Sequence, residues 1–198
     1  MTYSIIGSGN IGSAIARQFA RNGIDAAIAN TRGPDSLAPL GKEFGAHIIP
    51  QALEAALKAE IVILAVPFPA VPVIARAGRD WTGKIVIDAT NAIDFPAYTP
   101  TDLGGRPSSE VVAEKLRGAR LVKAFNTLPA AVLAMDPSEG GGRRVLFISG
   151  NDAKANSEVA NLAAKFGFAS ITLGKLAEGG LLQQYGGPLV IQNLVKLG

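Results

Sequence analysis

The chain has 198 residues, 48% of them hydrophobic and 18% charged, a balance that fits one globular unit burying its own core and excludes a disordered chain. It has no cysteine and a single histidine, which excludes disulfides, thiolate nucleophiles, cysteine-ligated zinc and a histidine metal cluster. The formal charge of +3 comes without a long basic run, GGGRR at 140–144 being a local exception, and no apolar stretch reaches the roughly 18 residues of a membrane span, so neither nucleic acid nor a bilayer is the expected partner.

The first predicted strand, Tyr3–Ile6, runs into Gly7, Gly9 and Gly12, a G-x-G-x-x-G spacing that opens a helical pattern over Asn10–Asn22. The spacing alone is weak in a chain with 23 glycines, and gains weight from the strand before it and the helix after it. In that setting Gly7 makes the tight turn, Gly9 lets backbone approach a pyrophosphate, and Gly12 lets the helix lie close on the strand. The helix start near Asn10 turns unpaired N–H groups and a partial positive charge towards an anion. The opening MTYSIIG leads directly into this strand without the basic and apolar regions of a secretory leader, and a cytoplasmic protein is expected.

The second strand, Ala26–Ala29, ends at Asn30, Thr31 and Arg32. NAD-binding chains place a carboxylate here to hold the ribose hydroxyls. None is present, and a hydroxyl and a guanidinium stand where a 2′-phosphate would need donors. NADP(H) is therefore predicted over NAD.

His47 lies in AHIIP, on a short strand away from this edge, and reads as structural or exposed. A helical pattern over Gln51–Lys58 leads to a strand at Ile61–Ala65, followed by a proline-stiffened turn in which Ala65, Val66 and Pro67 could press on a nicotinamide ring. The strand Ile85–Asp88 is followed by Thr90 and Asn91, whose amide could serve the cofactor. After a helix at Ser109–Leu116, the strand Leu121–Phe125 leads into Asn126, Thr127, Leu128 and Pro129. Each segment singly is ordinary turn chemistry. In an open α/β sheet, however, all three fall on the same carboxyl edge as the glycine loop.

None of the three offers a general base: Asp88 reads as capping a strand end, and Lys123 precedes its turn. Oxidising an alcohol needs a group to move the proton, whereas transfer between two planar rings needs mainly stacking and orientation. The remaining pattern is a strand at Val145–Ser149, a helix at Ala153–Phe166 closed by Gly167, a strand at Ala169–Thr172, and an apolar helical stretch from about Pro188. That last stretch would close the core or meet another subunit. The alternation predicts an α/β, Rossmann-type, doubly wound and mainly parallel sheet with a small helical C-terminal portion. Residues 1–150 would form the NADP-binding domain and residues 151–198 the portion packed on it.

The segments IIGSGNIGSAIARQFARNGIDAAIANTR, IVILAVPFPAV, SSEVVAEKLRGARLVKAFNTLPAAVL and VLFISGNDAKANSEVANLAAKFGF resemble, in order and spacing, the NADPH-dependent reductases of the 8-hydroxy-5-deazaflavin coenzyme F420. They also resemble the related cytosolic domain of ferric reductases. The resemblance implies a homodimer with NADPH at the sheet edge, passing a hydride to a small-molecule acceptor that is a deazaflavin, a flavin or a ferric chelate. It implies that Ser8, Asn10 and Ile11 contact the pyrophosphate and that Thr31 and Arg32 hold the 2′-phosphate. Val66, Pro67, Asn91 and the Asn126–Pro129 turn would frame the nicotinamide and the acceptor, with no metal and no covalent nucleophile.

Two departures both touch the acceptor side. The family's histidine is missing from the turn that reads Phe125–Asn126–Thr127, and the loop NAIDFPAYTPTDLGGRPSSE differs from the family pattern. Two other readings stay open. An imine or β-hydroxy-acid reductase shares the glycine loop and the AVP turn but carries a long all-helical C-terminal domain. A non-catalytic NADP(H)-sensing module would use the loops around Gly104 and Gly140.

Overall fold

The structure is a computed structural model that describes all 198 residues, Met1–Gly198. The chain begins with β1 (Tyr3–Ile6), α1 (Asn10–Arg21), β2 (Ala26–Ala29), α2 (Ala38–Phe44), β3 (Ile48–Pro50) and α3 (Leu53–Ala56). It continues through β4 (Ile61–Leu64), α4 (Val71–Ala77), β5 (Ile85–Asp88), a hairpin of β6 (Ile93–Asp94) and β7 (Thr99–Pro100), and α5 (Ser108–Lys115). Then come β8 (Arg120–Lys123), α6 (Ala130–Leu133), β9 (Ser138–Glu139), β10 (Gly142–Gly150), α7 (Ala153–Lys165), β11 (Ala169–Thr172), α8 (Gly179–Gln183) and β12 (Val195–Leu197).

The main sheet runs β3-β2-β1-β4-β5-β8-β10-β11, with β9 and β12 also paired to β10. The six strands from β3 to β8 are parallel. β10 runs antiparallel to β8, β11 runs parallel to β10, and β9 and β12 pair antiparallel with β10.

Helices cover both faces, which is why the strands are apolar on both sides rather than alternating. Ile5, Ile63, Ile87 and Val122 face α1 and α7, in a core that includes Phe19 and Phe166, whose rings meet edge-on at 4.8 Å. Their neighbours Ile6, Val62, Leu64 and Val86 face the opposite core with Ile74, Trp81 and Val112. Each such side chain stabilises the fold by about 1.5–3 kcal/mol when fully buried. Gln18 is buried among these groups without penalty, because its Nε2 donates to the carbonyls of Leu133 (2.6 Å) and Met135 (2.7 Å).

The sheet positions the site through its connectivity. From β1 the chain winds outward to β2 and β3, then returns to place β4 on the other side of β1. Ligand crevices in such sheets lie beyond the carboxyl ends at this switch point, here between Gly7 and Ala65.

Several sequence expectations change. The stretch from Pro188 is not a helix: residues 188–191 form turns and the chain ends as β12, antiparallel to the start of β10 with Arg144 opposite Val195. Its backbone is tied by Ile191 N–H to Thr127 O (2.8 Å) and by Val145 N–H to Leu194 O (2.8 Å), so pairing with β10 outweighs the apolar spacing. The helix expected over Gln51–Lys58 is a single turn at Leu53–Ala56. Helices α2 and α4 appear where no helix is expected, each with proline in its first turn, where the missing N–H costs nothing.

Candidate functional site

The glycine loop closes tightly on the sheet. Gly7 N–H donates to Ala29 O (2.8 Å), and Ala65 N–H donates to Ile6 O (2.8 Å), so the ends of β1, β2 and β4 are stitched together just below the turn. Gly7 has φ +114°, and a Cβ there would lie 2.1 Å from Ala65 O. A Cβ on Gly12 would lie 2.0 Å from Gly7 O, so the first turn of α1 can rest on the loop only without a side chain. These two glycines are packing requirements.

Gly9 is different. It is exposed, its φ of −78° suits any residue, and a Cβ there would meet nothing within 4 Å. It forms the N-cap of α1, and no side chain caps the helix or adds an acid to its first turn. The first amides of a twelve-residue helix therefore face solvent across an open space, beside exposed Asn10 and half-buried Ser8 and Ile11. That is the donor set and the partial positive charge an anion needs.

Beyond β2, Asn30 is buried and organises the neighbouring loop. Its Nδ2 donates to Ser8 Oγ and to Ser36 Oγ, both at 3.0 Å, and its Oδ1 accepts the Arg32 N–H at 2.8 Å. Arg32 Nη2 donates to Ser8 Oγ at 3.4 Å. Thr31 and Arg32 are exposed, so a hydroxyl and a guanidinium stand at the rim of the glycine loop with no carboxylate among them. Ser36 belongs to this network and is not foreseen in the sequence, where serine in a loop carries no signal.

The other three segments also line the carboxyl edge, but unequally. Ala65 and Val66 are half-buried and Pro67 exposed. Asn91 is half-buried and exchanges amide bonds with Asn126: its Nδ2 donates to Asn126 O (2.9 Å), and Asn126 Nδ2 donates to Asn91 Oδ1 (3.0 Å) and Gln183 O (2.5 Å). Asn126, Thr127 and Leu128 are buried, and only Pro129 of that turn is exposed. The turn thus braces the crevice wall, with Phe125 held at φ +63° under it.

Behind Asn91 lies a feature read from the sequence only as a strand cap and a nearby lysine. Asp88 and Lys123, opposite each other on β5 and β8, are both fully buried, with Lys123 Nζ 3.0 Å from Asp88 Oδ2. Asp88 Oδ1 accepts the N–H (3.0 Å) and hydroxyl (2.7 Å) of Thr90, and Lys123 Nζ also donates to Thr90 O. A buried ion pair adds little net stability over apolar side chains of similar size; this one pins the Thr90 peptide from both sides and so fixes where Asn91 begins. Gln183 extends the lattice, its Nε2 donating to Lys123 O (2.7 Å). His47 lies at the opposite end of the strands with Nδ1 2.7 Å from Asp25 Oδ1. No helix is long and apolar enough to cross a membrane.

Residues 2–92 match the protein family described as NADP oxidoreductase, coenzyme F420-dependent. A hypothetical protein of Sinorhizobium meliloti, known from its crystal structure, is 55% identical, with a TM-score of 0.96 over 99% of this chain and 96% of that one. A structure from Arthrobacter described as an F420-dependent NADP reductase is 28% identical, with a TM-score of 0.75 over 89% of this chain and 86% of that one. Human metalloreductase STEAP2 is 25% identical over 179 residues, which are 89% of this chain and 34% of that protein. The chain therefore spans about a third of the length of the curated relatives it matches.

Proposed function

We propose that the chain, whose residues 2–92 match the NADP oxidoreductase, coenzyme F420-dependent family and whose dinucleotide is NADP(H), passes a hydride between nicotinamide and a planar ring acceptor, a deazaflavin or a flavin. The residues present fit the dinucleotide: Gly9 leaves open the space its pyrophosphate would take, and the first amides of α1 face that space uncapped.

When bound, NADPH supplies a hydride from its nicotinamide ring. The chain's own work is binding, orientation and exclusion of water. The α1 amides hold the pyrophosphate, with Ser8, Asn10 and Ile11 around it. Thr31 and Arg32 take the 2′-phosphate, with Asn30 holding Arg32 against Ser8. Ala65, Val66 and Pro67 press on one side of the nicotinamide pocket, and Asn91 with the Asn126–Pro129 turn frames the other. The Asp88–Lys123 pair keeps that frame rigid while its two charges stay engaged with each other and with Thr90. The proton that accompanies hydride on a ring acceptor comes from solvent.

Residues 1–150 would carry the dinucleotide half, and residues 151–198 would cross the edge to wall the acceptor side. The resemblance also carries a homodimer, which light scattering at twice the 20.4 kDa chain mass would reveal. One observation bears most of the weight: an uncapped helix terminus and Arg32 meet at a crevice whose far wall presents amides and carbonyls but no free acid or base.

The test is anaerobic mixing of NADPH with a panel of flavins, the deazaflavin coenzyme and ferric chelates, following the nicotinamide absorbance. Consumption with a ring acceptor is expected. Tight NADPH binding with no consumption by any of them would replace the reading with a sensing module.

A further inference from the structure

Two of the non-glycine residues with positive φ, Phe125 at +63° and Ile191 at +67°, flank a single hydrogen bond, in which Ile191 N–H donates to Thr127 O at 2.8 Å. A left-handed backbone is a genuine outlier for a β-branched residue. Strain of this size disfavours the conformation about 5- to 150-fold. Burial of the isoleucine side chain does not offset it, since Ile191 is 66% exposed. A backbone hydrogen bond favours the contact by only about 2- to 12-fold. The bond to Thr127 therefore does not hold Ile191 in place by itself.

The hold comes from further along the segment. Leu194 O accepts Val145 N–H at 2.8 Å, and Asn193 Oδ1 accepts from Arg144 Nη1. Arg144 is buried, its Nη2 donates to Glu139 Oε2, and its Nε has no partner. Pulling Asn193 away would leave a second N–H of a buried guanidinium unpaired, which is costly. Asn193 is thus the firm anchor. On the near side Leu189 N–H donates to Leu182 O at 3.0 Å, fixing the segment to α8. Between these ties Ile191 and Gln192 are exposed. A short span is thus drawn against Thr127 from both ends, at the turn whose Asn126 also engages Asn91 and Gln183. Strain collects at ligand clamps, where the surrounding structure enforces it.

We propose that residues 188–194 form a strap that braces the nicotinamide wall, with Ile191 and Asn193 as its positioning residues. Docked, Ile191 N–H holds the Thr127 carbonyl and the turn stands firm. Undocked, Ile191 relaxes out of the left-handed region and the turn gives way. The strain brings the two arrangements closer in population, so the ring is held and can still leave. The inference rests on the reading of the Asn126–Pro129 turn as the nicotinamide frame, and adds the segment that braces it.

NADPH and adenosine 2′,5′-bisphosphate share the 2′-phosphate half and differ in the nicotinamide, so together they isolate the wall. Affinities are measured by titration of the full chain, and release rates by stopped-flow displacement. Ile191→Gly adopts the left-handed backbone without strain, favours the docked strap, and should slow NADPH release about 5-fold or more. Asn193→Ala frees the strap and should speed NADPH release about 3-fold or more. Asn193→Asp keeps an acceptor for Arg144 and should stay near the parent. Release of the bisphosphate should change by less than about 2-fold in all three, because it has no ring for the wall to hold.

NADPH release that is unchanged in Ile191→Gly and Asn193→Ala, or shifted in the same direction in both, would overturn the strap and leave the nicotinamide frame standing. Equal shifts for the two ligands would do the same. A parent chain that binds NADPH no more tightly than the bisphosphate would remove the frame itself, and the strap with it.

Discussion

Replacing Gly7 and Gly9 separately by alanine should produce opposite phenotypes, although both belong to one motif. At Gly7, φ +114° puts an alanine in a region costing about 1–3 kcal/mol. Its Cβ would also stand 2.1 Å from Ala65 O on the neighbouring strand, overpacking worth about 1–3 kcal/mol more. The sum, about 2–6 kcal/mol, should lower Tm by about 4–24 °C at the usual 2–4 °C per kcal/mol for a chain of this length. At Gly9 the backbone is extended and a Cβ meets nothing, so only the slightly poorer capping by alanine remains, under about 1 kcal/mol. Tm should therefore stay within about 4 °C of the parent. The added methyl would stand instead in the space over the first α1 amides and push an anion off them. NADPH affinity should fall about 10- to 100-fold, or about 1.4–2.7 kcal/mol. Thermal melts by circular dichroism and titration of NADPH fluorescence measure the two effects independently. If Gly9→Ala bound NADPH as tightly as the parent, the α1 terminus would not be the pyrophosphate site, and the cradle would be only a tight turn.

Arg32→Glu should weaken NADPH by about 10- to 150-fold, the worth of one charged hydrogen bond, while NADH affinity holds or rises; equal losses for both cofactors would remove Arg32 from the 2′-phosphate. Lys123→Met leaves the Asp88 carboxylate buried without its counter-charge and should cost about 3–5 kcal/mol in urea unfolding. Most of that should return when Asp88→Asn is added, and an unchanged midpoint for the single variant would mean that water reaches Asp88. Glu60 accepts the Thr2 backbone N–H at 2.7 Å, and this bond, helped by the nearby N-terminal ammonium, holds its carboxyl below the ordinary range. Its contribution is full above the ordinary value of 4.5 and fades as pH falls through the lower folded value. Glu60→Gln should thus melt below the parent at neutral pH and converge with it in acid; a gap that persists in acid would show that the ionised form is not what matters.

How far the sequence reached depends on how local each feature is. The strands Tyr3–Ile6 and Ala26–Ala29 appear as read, because burial on both faces leaves an uninterrupted apolar run. Helix α7 also matches: Asp152 Oδ1 accepts Ala155 N–H at 2.8 Å, and Gly167 leaves the helix at φ +92°. The apolar tail after Pro188 looks helical in spacing, yet its partners are β10 and Thr127, remote in the chain, and they hold it as turns that end in β12. The Asp88–Lys123 pair is hidden for the same reason, since its members are 35 residues apart and singly unremarkable. Gln183 is 57 residues from Asn126 and 60 from Lys123, and a glutamine in GGLLQQ carries no sign of either.

The proposed dinucleotide half of the crevice is written in two short contiguous stretches, residues 7–12 and 30–32, where a strand end, a turn and a helix start dictate their own geometry. Sequence alone therefore determined the nature of that ligand, through glycine spacing and a missing carboxylate. The opposite wall is assembled from Asn91, Asn126 and Gln183, which come from three distant segments. It exists only because β5, β8 and α8 converge on one edge. Long-range pairing sets that convergence, and no local pattern encodes it.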